Sequence, residues 1–239
     1  MLAYVKPRII LLDDDASLLE VIHYYFNEKF DDTVEVKIFT KSYDLMNYIQ
    51  ENCYLSESPA EILDSFYTSD KNKESIIKTL KDLSVLSATL VVDHELRGEE
   101  ITGIELSNEL REYFPTSYIC MLTSNVPNDQ AIKLHNNHNI DLFVDKKNTD
   151  AIHNLYTYLS KHINIQKNSY IIDAADIFDN TNILDSQEYI NQKIIFLEKN
   201  NPFSYLTLNE NGDIALIKNN HSISFWRYTP STKRFIEYE

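Results

Sequence analysis

Three apolar runs in this chain stop abruptly at a reactive side chain: Ile9–Leu12 at Asp13-Asp14-Asp15, Ala88–Val92 at Asp93, and Tyr118–Leu122 at Thr123-Ser124. A shorter fourth run, Leu142–Val144, ends at Asp145-Lys146-Lys147. Continuous apolar runs of this length suit strands buried on both faces, as in a parallel sheet covered by helices. A fifth strand, Val34 to Thr40, alternates instead, with Val34, Val36 and Ile38 on one side. In an open parallel sheet, function gathers outside the carboxyl ends of the strands. Four strand ends here carry Asp13/Asp14, Asp93, Thr123 and Lys146.

The segments between these runs have the helical period. Leu18, Leu19, Ile22, Tyr25 and Phe26 form one stripe, and Leu45, Met46 and Ile49 another within 42–53. Leu106, Leu110 and Phe114 fall one turn apart over 104–114 before Pro115 stops the helix, and Ile152, Leu155, Tyr156, Leu159 and Ile163 stripe the segment 150–163. A weaker helix is expected over 128–138. The alternation predicts an α/β, flavodoxin-like, doubly wound parallel five-stranded sheet.

Residues 1–165 are read as that domain, with a polar insertion around 54–82 that supplies one or two extra helices, such as Ser75–Leu83. From 166 the pattern changes. A helix over 186–199 ends at Asn201-Pro202, and strands over 203–208, 213–218, 223–228 and 234–238 follow, the first two joined by the turn Asn209-Glu210-Asn211-Gly212. Residues 166–239 are therefore expected to form a small α+β domain, an antiparallel meander preceded by a helix.

A net charge of −15 argues against a general nucleic-acid binder. Three glycines in the whole chain exclude Gly-rich phosphate loops, and the apolar run at 9–12 is too short for a signal peptide or a membrane span. Cys53 and Cys120 are read as reduced thiols of a cytoplasmic protein.

A carboxylate that accepts a phosphoryl group works against its own charge, because the transition state spreads negative charge over three phosphoryl oxygens. A hard divalent cation offsets this, and two adjacent aspartates at one strand end plus a third at the next supply its oxygens. A lysine and a hydroxyl from the remaining strand ends can hold the transferred oxygens.

On these residues the chain resembles the receiver domain of response regulators over roughly residues 8–163. Ile9-Ile10-Leu11-Leu12-Asp13-Asp14-Asp15-Ala16-Ser17-Leu18 resembles its opening, and Leu90-Val91-Val92-Asp93 its phosphoacceptor strand. Met121-Leu122-Thr123-Ser124 resembles its switch hydroxyl, and Leu142-Phe143-Val144-Asp145-Lys146 its lysine strand. The resemblance implies that Asp13, Asp14 and Asp93 hold Mg²⁺, with the Glu95 carbonyl completing the shell. It implies that Asp93 is the phosphorylated nucleophile, that Thr123 and Lys146 bind the phosphoryl group, and that Phe143 is the aromatic that swings inward on activation. It further implies a histidine kinase or phosphotransfer protein as donor, and self-phosphorylation and dephosphorylation rather than enzymatic turnover. Two departures stand out. The loop from His94 to Thr102 lacks the family's usual proline and is two residues longer, and Lys147 stands where a proline usually follows the conserved lysine.

Other readings accompany this one. Asp13 and Asp15 have the spacing of an aspartate-nucleophile, metal-dependent phosphohydrolase, although Asp93 then lacks a role. A phosphorylation-independent receiver used as a binding module is a third. Asp15 is read as a helix cap, His94 as pointing away from Asp93, His135 and His138 as histidines without a metal partner, and Cys120 as core. The aromatic and basic residues of 225–238 are read as the core and solvated face of the small domain. That domain is expected to engage a downstream protein partner or to form a homodimer, with neither nucleic acid nor membrane as its target.

Overall fold

The computed structural model describes residues 2–31, 33–52, 59–86, 88–114, 117–124, 139–169, 177–218 and 222–238. The helix expected over 128–138, with His135 and His138, lies outside the described residues, as does Cys53. The chain divides into two compact units, one of residues 7–56 and 84–167, the other of 1–6, 57–83 and 168–239.

The first unit is built on β2 (Arg8–Leu12), β3 (Glu35–Phe39), β4 (Ala88–Asp93), β5 (Ile119–Thr123) and β6 (Leu142–Asp145), after the short β1 (Ala3–Val5) of the other unit. All neighbours pair parallel, in the order β3-β2-β4-β5-β6. Counted within this sheet, that is the 2-1-3-4-5 order of the flavodoxin-like fold. The expected fold class therefore holds.

The period of two along each strand sorts side chains to opposite faces. Ile9 and Leu11 join Val91, Cys120 and Leu122 under α1 (Ala16–Phe30) and the helix Ala151–Ser169, which supply Leu19, Ile22, Phe26, Leu155, Leu159 and Ile163. Ile10 and Leu12 join Leu90, Val92 and Met121 under α2 (Ser42–Asn52) and the helix Gly103–Tyr113, which supply Leu45, Ile49, Leu106 and Leu110. Each fully buried aliphatic side chain contributes roughly 1.5–3 kcal/mol.

The second unit holds α3 (Pro59–Thr68) and most of α4 (Lys73–Leu86), so that Gly103–Tyr113 is α5, Ala151–Ser169 is α6 and Gln187–Asn200 is α7. Its sheet runs β1-β7-β8-β9-β10, with β7 (Ser204–Thr207), β8 (Ile214–Ile217), β9 (Ile223–Thr229) and β10 (Arg234–Tyr238) all antiparallel. The meander and its preceding helix agree with the pattern read from 186 onward. Ser186 caps α7 by accepting from the Tyr189 N–H, and Asn201 ends it in the left-handed region. Gly212 supplies the positive φ of the β7–β8 turn, and the Tyr189 ring packs where a Cβ on Gly212 would stand.

The domain boundaries fall elsewhere than expected. Residues 1–6 and 57–83 belong with the C-terminal unit, not with the parallel sheet. The cause is long-range pairing. Ala3, Tyr4 and Val5 form an edge strand against Leu206, Tyr205 and Ser204, and the Thr207 N–H donates to the Leu2 carbonyl at 2.7 Å. Tyr67 of α3 donates its hydroxyl to the Thr207 carbonyl at 2.5 Å and packs against Phe178. The aromatic run of 225–238 alternates as strands require. Trp226 packs on Phe196 and Tyr228 on Tyr189, while Arg227 lies outward over Tyr238. No helix among the described residues is long and apolar enough to cross a membrane.

Candidate functional site

Parallel register brings the reactive residues to one edge. Leu12 is level with Val92, Asp93 with Leu122, and Thr123 with Asp145, so the residues at or just past each strand end share the same rim. The three aspartates after β2 then part. The Asp13 N–H donates to the Phe39 carbonyl at 3.2 Å, and Asp13 Oδ1 accepts from the Asp15 N–H at 3.0 Å. Asp15 turns to α1 and accepts from the Leu18 N–H at 3.1 Å, which is the cap role read for it.

Asp13, Asp14 and Asp93 bring carboxylate oxygens within 4.8 Å of one another, and Asp13 and Asp93 are buried. Lys146 spans two of them, its Nζ 2.6 Å from Asp13 Oδ2 and 2.8 Å from Asp93 Oδ2. Its position comes from the backbone: the Lys146 N–H donates to the Thr123 carbonyl at 2.9 Å, tying the end of β6 to the end of β5. Lys146 holds this seat with Lys147 following it where the receiver pattern has proline.

Burial pushes the Asp93 carboxyl above its ordinary value. The Lys146 hydrogen bond opposes this, the Asp13 charge adds to it, and the Lys146 charge and the Glu95 backbone N–H draw it back. Burial pulls the Lys146 ammonium down, but its hydrogen bonds to Asp13 and Asp93 and their charges outweigh it, and the net shift is upward. Three carboxylates against the Lys146 ammonium and one exposed guanidinium, Arg97, 3.9 Å from Asp14 Oδ2, leave an excess of negative charge at this rim. An all-oxygen set of this kind fits a hard divalent cation such as Mg²⁺.

The helix after the acceptor strand approaches it closely. A Cβ on Gly103 would lie 1.9 Å from the Asp93 carbonyl oxygen and 2.9 Å from His94 Cα, so only glycine lets α5 start there. The Gly103 N–H donates to the His94 carbonyl at 2.9 Å, and Thr102 with Glu105 forms a capping box.

Thr123 is buried at the end of β5, one strand from Asp93. Phe143 is half-buried on β6 and packs against the cluster beneath α2 and α5. Glu95 turns its backbone N–H to the Asp93 carboxylate. His94 is half-buried and stands outside the acidic cluster. Cys120 is buried, and burial pushes its thiol up, as for an inert core residue. The Asp13/Asp15 pair of the phosphohydrolase reading is split, because Asp15 is committed to the helix cap.

Two residues at the rim escaped the sequence reading. Arg97 Nε lies 3.9 Å from Asp14 Oδ2, and Glu99 ties its loop to the start of α2. Both sit in the lengthened loop 94–102, whose departure from the receiver pattern was the available signal.

No family model matches the chain, and no curated protein matches it. Solved structures similar to it include the Legionella pneumophila response regulator LqsR, at 14% identity and a TM-score of 0.48 over 94% of this chain; the chain spans 66% of the length of that structure. The signal receiver domain of a putative LuxO repressor protein from Vibrio parahaemolyticus matches at 14% identity and a TM-score of 0.48, over 71% of this chain and 99% of that one. A CheY-like response regulator receiver domain from Methanospirillum hungatei matches at 16% identity and a TM-score of 0.46, over 70% and 99%.

Proposed function

We propose that residues 7–56 and 84–167 form a phosphoacceptor receiver and that the whole chain is a two-component response regulator. The observation that carries this reading is the convergence of Asp13, Asp14 and Asp93 on one rim with Lys146 bridging two of the carboxylates. A structural ion pair needs one carboxylate. Lys146 holds two, with the Asp14 carboxylate beside them, a surplus that suits a site which also takes a divalent cation and a phosphoryl group.

In this reading the Asp93 carboxylate attacks phosphorus, an acyl–phosphate bond forms, and the bond to the donor's imidazole nitrogen breaks as the imidazole leaves. Asp13 and Asp14, with Asp93 and the Glu95 carbonyl, would hold Mg²⁺, which when bound offsets the negative charge gathered on the phosphoryl oxygens. Lys146 pairs with one transferred oxygen and Thr123 donates its hydroxyl to another. Phe143 then follows Thr123 inward, which shifts the population of the fold. Water cleaves the acyl phosphate again and regenerates Asp93, so the chain is a switch and not a turnover enzyme. A histidine kinase or phosphotransfer protein supplies the phosphoryl group in the cytoplasm. The C-terminal unit carries the output to a protein partner or a second copy of the chain rather than to DNA.

The test is intact mass after incubation with a small phosphodonor and Mg²⁺, for wild type and Asp93→Asn. One phosphoryl adduct on wild type, absent from the variant and abolished by a chelator, is the expected result. No adduct on folded wild type with Mg²⁺ present would return the domain to a phosphorylation-independent binding module.

A further inference from the structure

The loop between β4 and α5, one of the places where the chain departs from the receiver pattern, is firmly built. Leu96 is buried in the cluster beneath α2 and α5. Its carbonyl accepts from the Glu99 N–H at 3.2 Å, which closes a tight turn with Arg97 and Gly98 at the corners. Gly98 sits at φ +77°, the conformation that a type II turn demands at its third position. The far leg is tied down by Glu99. Its carboxylate accepts the backbone N–H of Ser42 at 3.1 and 3.2 Å and also the Ser42 hydroxyl. Ser42 opens α2, so this acid also meets the positive end of a helix. A buried leucine on one leg and a carboxylate clamp on the other leave Arg97 at the apex, facing Asp14.

We propose that Arg97 is a tethered cation of the acidic site, which competes with a divalent ion for Asp14 and turns outward when the ion is seated, with Glu99 as its positioning residue. The inference rests on the reading of Asp13, Asp14 and Asp93 as a cation site. Asp14 is the most exposed of the three carboxylates, and its oxygen cannot give its full charge to a guanidinium and to a metal at once. Arg97 is 86% exposed and 3.9 Å away, so the competition is modest. An exposed pair of this kind changes an affinity by about two- to five-fold. Salt screens it, because an exposed charge pair is felt only within a Debye length. The lengthened loop thus weakens the cation affinity of the resting site.

The test is calorimetric titration of the full chain with Mg²⁺ at low and high ionic strength, for wild type, Arg97→Ala, Arg97→Lys and Glu99→Gln. Arg97→Ala is expected to bind Mg²⁺ about two- to five-fold more tightly at low salt, with the difference collapsing at high salt. Arg97→Lys should restore most of the wild-type affinity. Glu99→Gln should shift affinity in the same direction as Arg97→Ala, and the double variant should go no further than Arg97→Ala alone. A purely structural loop would change melting temperature without this salt dependence. Unchanged low-salt affinity in a folded Arg97→Ala protein overturns the proposal while leaving the cation site intact. Folded wild type that takes up no Mg²⁺ at all overturns the cation-site reading, and this inference with it.

Discussion

Replacing Lys193 by methionine should stabilise the C-terminal unit. Lys193 lies on α7 with only 8% of its surface exposed, its Nζ 3.1 Å from Thr207 Oγ1 and 4.7 Å from the centre of the Tyr205 ring, with the Tyr189 ring at 5.6 Å. Burial alone pulls the amine down from its ordinary 10.5 to about 7. The tyrosines around it, Tyr189, Tyr205 and Tyr67, are pushed up by burial and stay neutral. The folded state therefore favours the neutral amine, while the unfolded chain binds the proton up to about pH 10.4. The unfolded state holds more protons between these limits, so stability rises with pH across them, by at most about 1.4 kcal/mol per pH unit. The full interval is worth on the order of 5 kcal/mol, which local relaxation around the buried amine reduces to roughly 2–4 kcal/mol. Methionine keeps the apolar contacts and leaves Thr207 without one hydrogen bond, a loss of about 1 kcal/mol. The net expectation at pH 7 is a gain of roughly 1–3 kcal/mol. Trp226, the only tryptophan, sits in the same unit and reports its unfolding. Guanidinium unfolding followed by its fluorescence between about pH 6.5 and about pH 9 (~1 unit below tyrosine ionisation) should show a midpoint that climbs with pH for wild type and stays flat for Lys193→Met. A variant less stable than wild type at pH 7, with a parallel pH profile, would refute the account of a proton excluded by burial.

Two further outcomes follow from the site. Gly103→Ala sets a Cβ 1.9 Å from the Asp93 carbonyl oxygen, and backbone cannot rotate away. A loss of about 3 kcal/mol in thermal unfolding is expected, together with weaker Mg²⁺ uptake, and a variant as stable as wild type would contradict the close approach. Asp93→Asn removes one of three crowded carboxylates, and a carboxyl raised by burial costs stability above its native titration, with the benefit confined to lower pH. The variant should melt higher than wild type in chelator, by about 1 kcal/mol, and lower once millimolar Mg²⁺ is added, because only wild type then gains from binding. A variant that is less stable in both conditions would show that Asp93 is held chiefly by Lys146.

The parallel sheet was legible because its signals are local. Ile9–Leu12 and Ala88–Val92 are continuous apolar runs, the helices between them show the 3.6 period, and each reactive residue follows a run directly. Parallel register did the rest, since it aligns strand ends whatever lies between them. Arg97 and Glu99 were not legible, because a turn anchored on Ser42 has partners 57 residues apart and no periodicity. Arg111 is similar. Its guanidinium donates to the carbonyls of Ser117 and Asn139 and to the Asp141 carboxylate, yet from its sequence position it reads as an ordinary charge on a helix surface.

By itself, then, the sequence determined which side chains stand at the strand ends and what chemistry they offer together, because a strand buried on both faces announces itself residue by residue. Only the tertiary structure decided that residues 1–6 and 57–83 belong with the C-terminal sheet. A three-residue strand such as Ala3–Val5 has no pattern of its own, and its pairing with Ser204–Leu206 is set by the edge that β7 leaves open some 200 positions along the chain. Tertiary structure likewise decided that Lys193, one of two lysines on α7, lies in the dry interior, because burial depends on what packs above a helix and not on the helix alone.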